Sequence, residues 1–169
     1  MKNKEKKNIR NHWIILGVIL VVAVIIYGRV SGFGFMEGWD DMEYINNEDV
    51  QTMNIQGIFS NYHLGMYQPV SVLTLSLNYS MAGDKASAYH ATNLLLHLVN
   101  IILVFFVFLK FTNNRNLVYV ISLLFAIHPM NTEVVAWISA RSTLLFTAFS
   151  LLSLLFYIKY RGETNKYQW

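Results

Sequence analysis

From Asn11 to Gly28 the chain runs through 18 consecutive positions without an Asp, Glu, Lys or Arg. As a helix that stretch is roughly 27 Å long, close to the ~30 Å hydrocarbon core of a bilayer. A second uncharged stretch covers Tyr89 to Leu109, a third begins at Leu117, and a fourth occupies Ser142 to Ile158. A chain that crosses lipid must satisfy its backbone polar groups internally, and helices do this within one segment. The expected fold is all-α, a polytopic membrane helical bundle of about four transmembrane helices. Composition agrees, since 54% hydrophobic and 14% charged residues are too apolar for a disordered segment and argue against a nucleic-acid-binding domain. With no cysteine in the chain, disulfide scaffolds, thiol catalysis and Cys-ligated zinc are excluded.

Charge segregation orients the bundle. Lys2, Lys4, Lys6, Lys7 and Arg10 precede the first stretch, Lys110 and Arg115 follow the second, and Lys159, Arg161 and Lys166 follow the fourth. The excess of Lys and Arg places all three segments in the cytoplasm. The basic start and apolar run also resemble a signal peptide, but Tyr27, Gly28, Arg29 and Val30 offer no small-residue cleavage site, so an uncleaved anchor is expected. Between Ser31 and Ala88, seven acidic residues stand against the single cation Lys85, which assigns that loop to the other side. The expected organisation is a cytoplasmic tail over 1–11, spans over 12–30, 89–109, 117–128 and 134–159, an extracytoplasmic loop over 31–88, a cytoplasmic loop over 110–116, an outer turn over 129–133 and a cytoplasmic tail over 160–169.

The 58-residue loop is long for a bundle connection, and long loops are disproportionately functional. Within it Ile45, Val50, Met53, Ile58 and Phe59 fall roughly on one helical face, as expected of a helix lying along the membrane interface; the alternative is a short ordinary surface helix. After Pro69, the alternation of Val70 to Leu77 suits a strand. Yet Val70, Leu73, Leu77 and Met81 also fit a helical period with Pro69 in the first turn, and helix is the reading adopted. Asn78-Tyr79-Ser80 matches the N-glycosylation acceptor pattern, which a single tripeptide meets often by chance.

Three groups of residues carry chemical potential. Adjacent Asp40 and Asp41 follow Trp39 just beyond the first span, where desolvation and mutual repulsion can make a general base; the alternative is a solvated acidic loop start. His90, Asn93, His97 and Asn100 share one face of the second span. His90 and His97 are about 10 Å apart along the axis and cannot share one metal. Interhelical hydrogen bonding is expected for His97 and Asn100, whereas His90 and Asn93 could line a site. Finally, Pro129 should break the chain at His128, with a restart near Thr132 that puts Glu133, Trp137 and Arg141 on one face. A Glu and an Arg at the membrane are functional candidates unless they form a structural ion pair. The spacing of His128 and Glu133 does not match a helical two-His zinc motif.

Trp39-Asp40-Asp41, Tyr67-Gln68-Pro69, Tyr89-His90-Ala91-Thr92-Asn93 with His97, and Leu124 through Glu133 with Arg141 occur in that order in one family. The chain resembles the amino-terminal part of the transmembrane and tetratricopeptide-repeat glycosyltransferases, relatives of the protein O-mannosyltransferases with the GT-C fold. The resemblance implies transfer of a mannose-like sugar from a polyprenyl-phosphate donor to a protein or glycan hydroxyl on the extracytoplasmic side. It places the catalytic carboxylate on Asp40 or Asp41. From position and charge, Arg141 could meet the donor phosphate and Glu133 could orient the acceptor or hold a divalent cation. His90, Asn93, His128 and Gln68 complete the candidate substrate contacts. No cofactor is certain. Gln68 stands where the family has Arg, removing a positive charge near the donor.

Family members are longer and carry tetratricopeptide repeats, of which this chain has none, so either the sequence is a fragment, or a second chain completes the bundle, or activity has been lost. The competing reading is a non-catalytic membrane remnant or accessory subunit. A small transporter is a weaker third, since no inverted repeat is visible. Either way the expected product is an integral membrane protein, in the plasma membrane of a prokaryote or the endoplasmic reticulum of a eukaryote.

Overall fold

A computed structural model describes residues 2–164, with side chains described over 11–162. Lys2, Lys4, Lys6, Lys7, Arg10 and Lys166, which orient the expected bundle, lie outside the residues whose side chains are described. The described residues are helical throughout their ordered elements. In chain order these are α1 (Lys2–Tyr27), a 3-10 turn (Gly28–Gly32), α2 (Asp40–Ile45), α3 (Glu48–Gln51), α4 (Ile55–Ser60), α5 (Pro69–Ala82), α6 (Ala86–Phe111), α7 (Arg115–Ile127), α8 (Asn131–Ala136), a 3-10 turn (Ile138–Ala140) and α9 (Arg141–Thr164).

Three segments are long and apolar enough to cross a membrane: Asn11–Gly32, Ala86–Phe111 and Ile138–Gly162. At 22, 26 and 25 residues they rise about 33, 39 and 37 Å, each more than a ~30 Å hydrocarbon core. The third stretch of the sequence reading gives only α7, whose 13 residues rise about 20 Å. Its start is set by Asn114, whose side chain accepts from the Leu117 amide at 3.3 Å. Its end is set by Pro129, which holds His128 extended at ψ 130°. The expectation of four spans thus meets three helices of full length and one short one.

α6 is the axis of the bundle and packs against α1, α7, α8 and α9. Its polar stripe faces inward, with His90, Asn93, His97 and Asn100 all buried. His97 Nε2 lies 3.1 Å from the Ala126 carbonyl of α7, and Asn100 Nδ2 donates to the Leu144 carbonyl of α9 at 3.0 Å. Polar groups in apolar surroundings pair with neighbouring backbone because leaving them unpaired costs more than ordering them. Around them Ile19, Ala23, Tyr27, Ile101, Ala126 and Val135 form one core cluster. Nearer the α6 C-terminus Leu16, Phe105 and Val118 form another.

The long loop has its own core, built on Tyr44, Ile45, Val50, Ile58, Val72 and Leu75. The single interfacial helix expected over Ile45 to Phe59 is instead three short ones. Asn47 caps α3 by accepting from the Asp49 amide at 3.0 Å, and Asn54 caps α4 by accepting from the Gly57 amide at 3.2 Å. Asparagine competes with the backbone in this way and so starts helices rather than continuing them. Ile45, Val50 and Ile58 are buried as their spacing suggests, but Phe59 is exposed. Helix rather than strand holds for α5, with Pro69 in its first turn.

Candidate active site at the junction of loop and bundle

α2 begins at the two carboxylates. Asp41 points inward and is 1% exposed. Its Oδ2 accepts from the Met36 amide at 3.1 Å, while Oδ1 accepts from the Ser139 amide at 3.0 Å and from the Ser139 hydroxyl. One buried side chain therefore ties the loop to the 3-10 turn before α9, across 98 positions of sequence. Three donors on one buried carboxylate make a strong, directional clamp. Asp40 is half-buried, and among the described residues it makes no hydrogen bond or ion pair. One turn on, burial holds the Tyr44 phenol above its ordinary value of 10.0; the hydrogen bond from Gln68 works against that shift, and the Asp40 charge adds to it.

Arg141 opens α9 and is completely buried. Its Nε donates to Asn93 Oδ1 at 2.8 Å, Nη1 to the Thr74 carbonyl at 3.0 Å and to Asn78 Oδ1 at 2.6 Å, and Nη2 to the Tyr89 carbonyl at 3.1 Å. The guanidinium carbon also lies 5.8 Å from the centre of the Tyr89 ring. No carboxylate bonds to it directly among the described residues. Its charge is met by amide oxygens and carbonyls from α5 and α6, so one residue fastens three helices. Asn93 extends the network, its Nδ2 donating to the Trp137 and Ile138 carbonyls at 3.0 and 3.4 Å.

Those two carbonyls mark a break that the sequence did not reveal. Trp137 is extended, with φ −90° and ψ 117°, and separates α8 from the turn leading into α9. Glu133, Trp137 and Arg141 therefore do not share one helical face, and the span expected over 134–159 is not one helix at its start. The reason is the bonding available at the break: Asn93 donates to the Trp137 and Ile138 carbonyls and Asp41 accepts from the Ser139 amide, so these backbone groups stay paired where the helix is interrupted, while the buried Trp137 Nε1 has no partner. Arg141 consequently turns into the protein, away from Glu133.

Glu133 stands in the wall of a cleft of about 540 Å³ formed by two segments, Phe33, Gly34, Met36 and Trp39 on one side and Thr132, Glu133, Ala136 and Trp137 on the other. Trp39 and Trp137 meet edge to face at 5.6 Å. The lining is apolar apart from exposed Glu133 and Thr132. Behind it, His90 Nε2 lies 3.4 Å from the Gly34 carbonyl, while the buried Nδ1 has no partner.

The structure thus gathers Asp40, Asp41, Glu133, His90 and Asn93 around one junction. It sets His128 apart and places Gln68 on the Tyr44 phenol that the Asp40 charge also reaches. Exposed His128 accepts from the Met130 amide through Nδ1 at 3.3 Å and, through its carbonyl, from the Tyr27 hydroxyl at 3.1 Å, so it finishes the α7–α8 break. Gln68 donates to Tyr44 and lines a separate groove against α9. Ser139 and Asn78 were missed as site residues. A lone serine carries no sequence signal, and Asn78 carried a misleading one: its amide is bonded on both sides, to Arg141 and to Thr92 Oγ1 at 2.9 Å.

No protein-family model and no solved structure matches the chain. Curated proteins do. The chain is 33% identical to human protein O-mannosyl-transferase TMTC4 over 88% of its own length and 23% of that protein. It is 32% identical to human TMTC3 over 96% of the chain and 18% of that protein. A protein O-mannosyl-transferase of Caenorhabditis elegans is 33% identical over 97% of the chain and 26% of that protein. The chain spans about a fifth of the length of these relatives. With its apolar helices and this kinship, it is an integral membrane protein homologous, over most of its length, to one part of the TMTC protein O-mannosyl-transferases.

Proposed function

We propose that this chain supplies the catalytic-loop portion of a membrane glycosyltransferase that moves a mannose-like sugar from a polyprenyl-phosphate donor to a hydroxyl of a protein or glycan acceptor. The loop between α1 and α6 faces the extracytoplasmic side in this reading, and the amino terminus the cytoplasm, as the charge pattern requires. One observation carries the proposal: the Asp41–Ser139 clamp fixes the start of α2 beside an apolar, tryptophan-walled cleft and leaves Asp40 without a protein partner. Asp40 would accept the proton of the acceptor hydroxyl as its oxygen attacks the anomeric carbon, while the bond from that carbon to the phosphate oxygen breaks and the lipid phosphate leaves. Glu133 would orient the acceptor, and the aromatic walls suit a sugar face or the first isoprene unit. Among the described residues no group of three His, Asp or Glu is gathered for a metal, so no step is routed through a divalent cation. Arg141, completely buried and with four of its five N–H donors occupied, supports the site by position rather than by meeting phosphate.

That last point also favours a second reading, a non-catalytic accessory subunit, because no arginine or lysine lines the cleft. Glycosyl transfer from polyprenyl-phosphate mannose in membranes holding the chain, alone and with its genomic neighbour, separates the two. Activity lost in Asp40→Asn, with Asp41→Asn losing folded protein as well, is the expected result. Absence of transfer from folded protein under both conditions would favour the accessory reading.

A further inference from the structure

The loop contains a second uncharged region that the catalytic reading does not use. From Val50 to Gly83 there is no Asp, Glu, Lys or Arg in 34 positions, although the rest of the loop is acidic. At its centre, residues 63–66 form a two-residue hairpin, with the His63 amide donating to the Met66 carbonyl at 3.0 Å and the Met66 amide to the His63 carbonyl at 2.9 Å. Leu64 and Gly65 turn the chain with φ 50° and 74°, the paired positive values that a tight hairpin requires. The tip is held from behind. Asp49 accepts from Asn54 at 2.7 Å and Asn61 at 2.9 Å and lies 3.2 Å from His63 Nε2, so the one titratable side chain of the hairpin faces inward. Outward it presents Tyr62, Leu64, Met66 and Tyr67, with Phe59 beside them, all exposed.

The next residues fix the depth of this surface. Pro69 and Val70 line one groove with Leu145, Phe146 and Phe149 of the spanning helix α9. Phe146 and Phe149 stand five and eight residues beyond Arg141, about 8 and 12 Å into the span. Farther along α5, Thr74 and Asn78 meet Arg141 itself. α5 therefore descends toward its amino-terminal end, and the hairpin joined to that end sits below the level of Arg141. A segment packed at this level beside a spanning helix fits an interfacial position, where amphipathic elements sink about 5–10 Å past the headgroup boundary.

We propose that the 62–67 hairpin and the first turn of α5 are a membrane anchor, inserted into the interfacial region of the leaflet on the loop side, with lipid as the partner. Continuity with exposed Phe146 and Phe149 of the spanning helix α9 points to lipid as the occupant, and Tyr, Leu and Met without charge suit a headgroup and acyl boundary. Only His63 and Met66 pair their backbone groups with each other, leaving those of Tyr62, Leu64, Gly65 and Tyr67 for headgroups and water, so the hairpin stops at the boundary rather than entering the hydrocarbon. The anchor holds the loop, and with it the cleft, at a fixed height on the membrane.

The absence of cysteine makes the test direct. Spin labels on Tyr62→Cys and Val70→Cys, both exposed positions, are compared in phosphatidylcholine nanodiscs with Phe149→Cys as the lipid reference and Asp84→Cys as the aqueous one. The expected result is a ratio of oxygen to nickel-chelate collisions at 62 and 70 several-fold above that at 84 and approaching that at 149. A ratio equal to that at 84 means the hairpin is in water, and low collision rates with both reagents mean protein covers it; either overturns the proposal. Both readouts are independent of glycosyl transfer.

Discussion

Replacing Arg141 by methionine removes a cation while nearly keeping the length of its stem, and its effect can be worked from the four hydrogen bonds it makes. A hydrogen bond from a charged donor contributes about 1.5–3 kcal/mol net, so the gross loss is large. Against it stands the desolvation of the guanidinium, several kcal/mol, which the variant no longer bears. What remains is the penalty of acceptors left without donors in a site that excludes water: the Thr74 and Tyr89 carbonyls and the Asn78 and Asn93 side chains. Each buried acceptor left without a donor costs about 1–3 kcal/mol, and with four of them partly offset by the relieved desolvation we expect Arg141→Met to lose about 3–5 kcal/mol. Arg141→Lys should lie between, because one ammonium cannot reach acceptors spread around a planar fork. Asn93→Leu added to Arg141→Met should lose stability further, because the Trp137 and Ile138 carbonyls then lose their donor as well. Equilibrium unfolding in detergent micelles, followed by far-UV circular dichroism, measures all four proteins. Stability of Arg141→Met within about 1 kcal/mol of the parent, together with weakened binding of the lipid-phosphate donor, would refute the reasoning and show the guanidinium free to meet a ligand.

Three further outcomes follow from the loop. A Cβ at Gly57 would stand 2.0 Å from Asp49 Oδ1 and 2.5 Å from Asn54 Nδ2, so Gly57→Ala should loosen the hairpin base by about 1–3 kcal/mol, read as faster proteolytic cleavage there. Hydrogen bonds from Asn61 above all, and also from Asn54 and His63, hold the Asp49 carboxyl below its ordinary 3.8 despite the opposing pull of burial. A depressed carboxyl contributes stability that is complete above the unfolded value and lost as pH falls through the folded one. Pepsin sensitivity of the loop should therefore rise only below about pH 3.8, and Asp49→Asn should flatten that dependence. Asn78, bonded through both amide atoms within α5, should carry no glycan, and treatment with an N-glycosidase should leave its peptide mass unchanged.

Much of the scaffold was legible residue by residue. Pro69 announced the start of α5, and Pro129 announced the break after α7, because the pyrrolidine ring acts on the backbone next to it whatever surrounds it. The spacing of His90, Asn93, His97 and Asn100 announced a buried polar face on α6. The subdivision of the loop into α2, α3 and α4 was partly legible too, in the capping asparagines Asn47 and Asn54, but the apolar period of Ile45 to Phe59 pointed to one helix and outweighed them in the reading. The interruption at Trp137 was not legible, since no proline or glycine marks it.

The sequence by itself determined which stretches are apolar and helical enough to cross lipid and which short motifs belong together. Those follow from local backbone chemistry and from the cost of placing charge in hydrocarbon, and neither depends on partners far along the chain. Only the tertiary structure decided what the charged and polar residues do. Asp41 is a clamp because Ser139 arrives from 98 positions away, and Arg141 is a fastening because Asn78 and Asn93 converge on it from two other helices. A buried charge takes its role from the groups that solvate it, and those groups are assembled by folding.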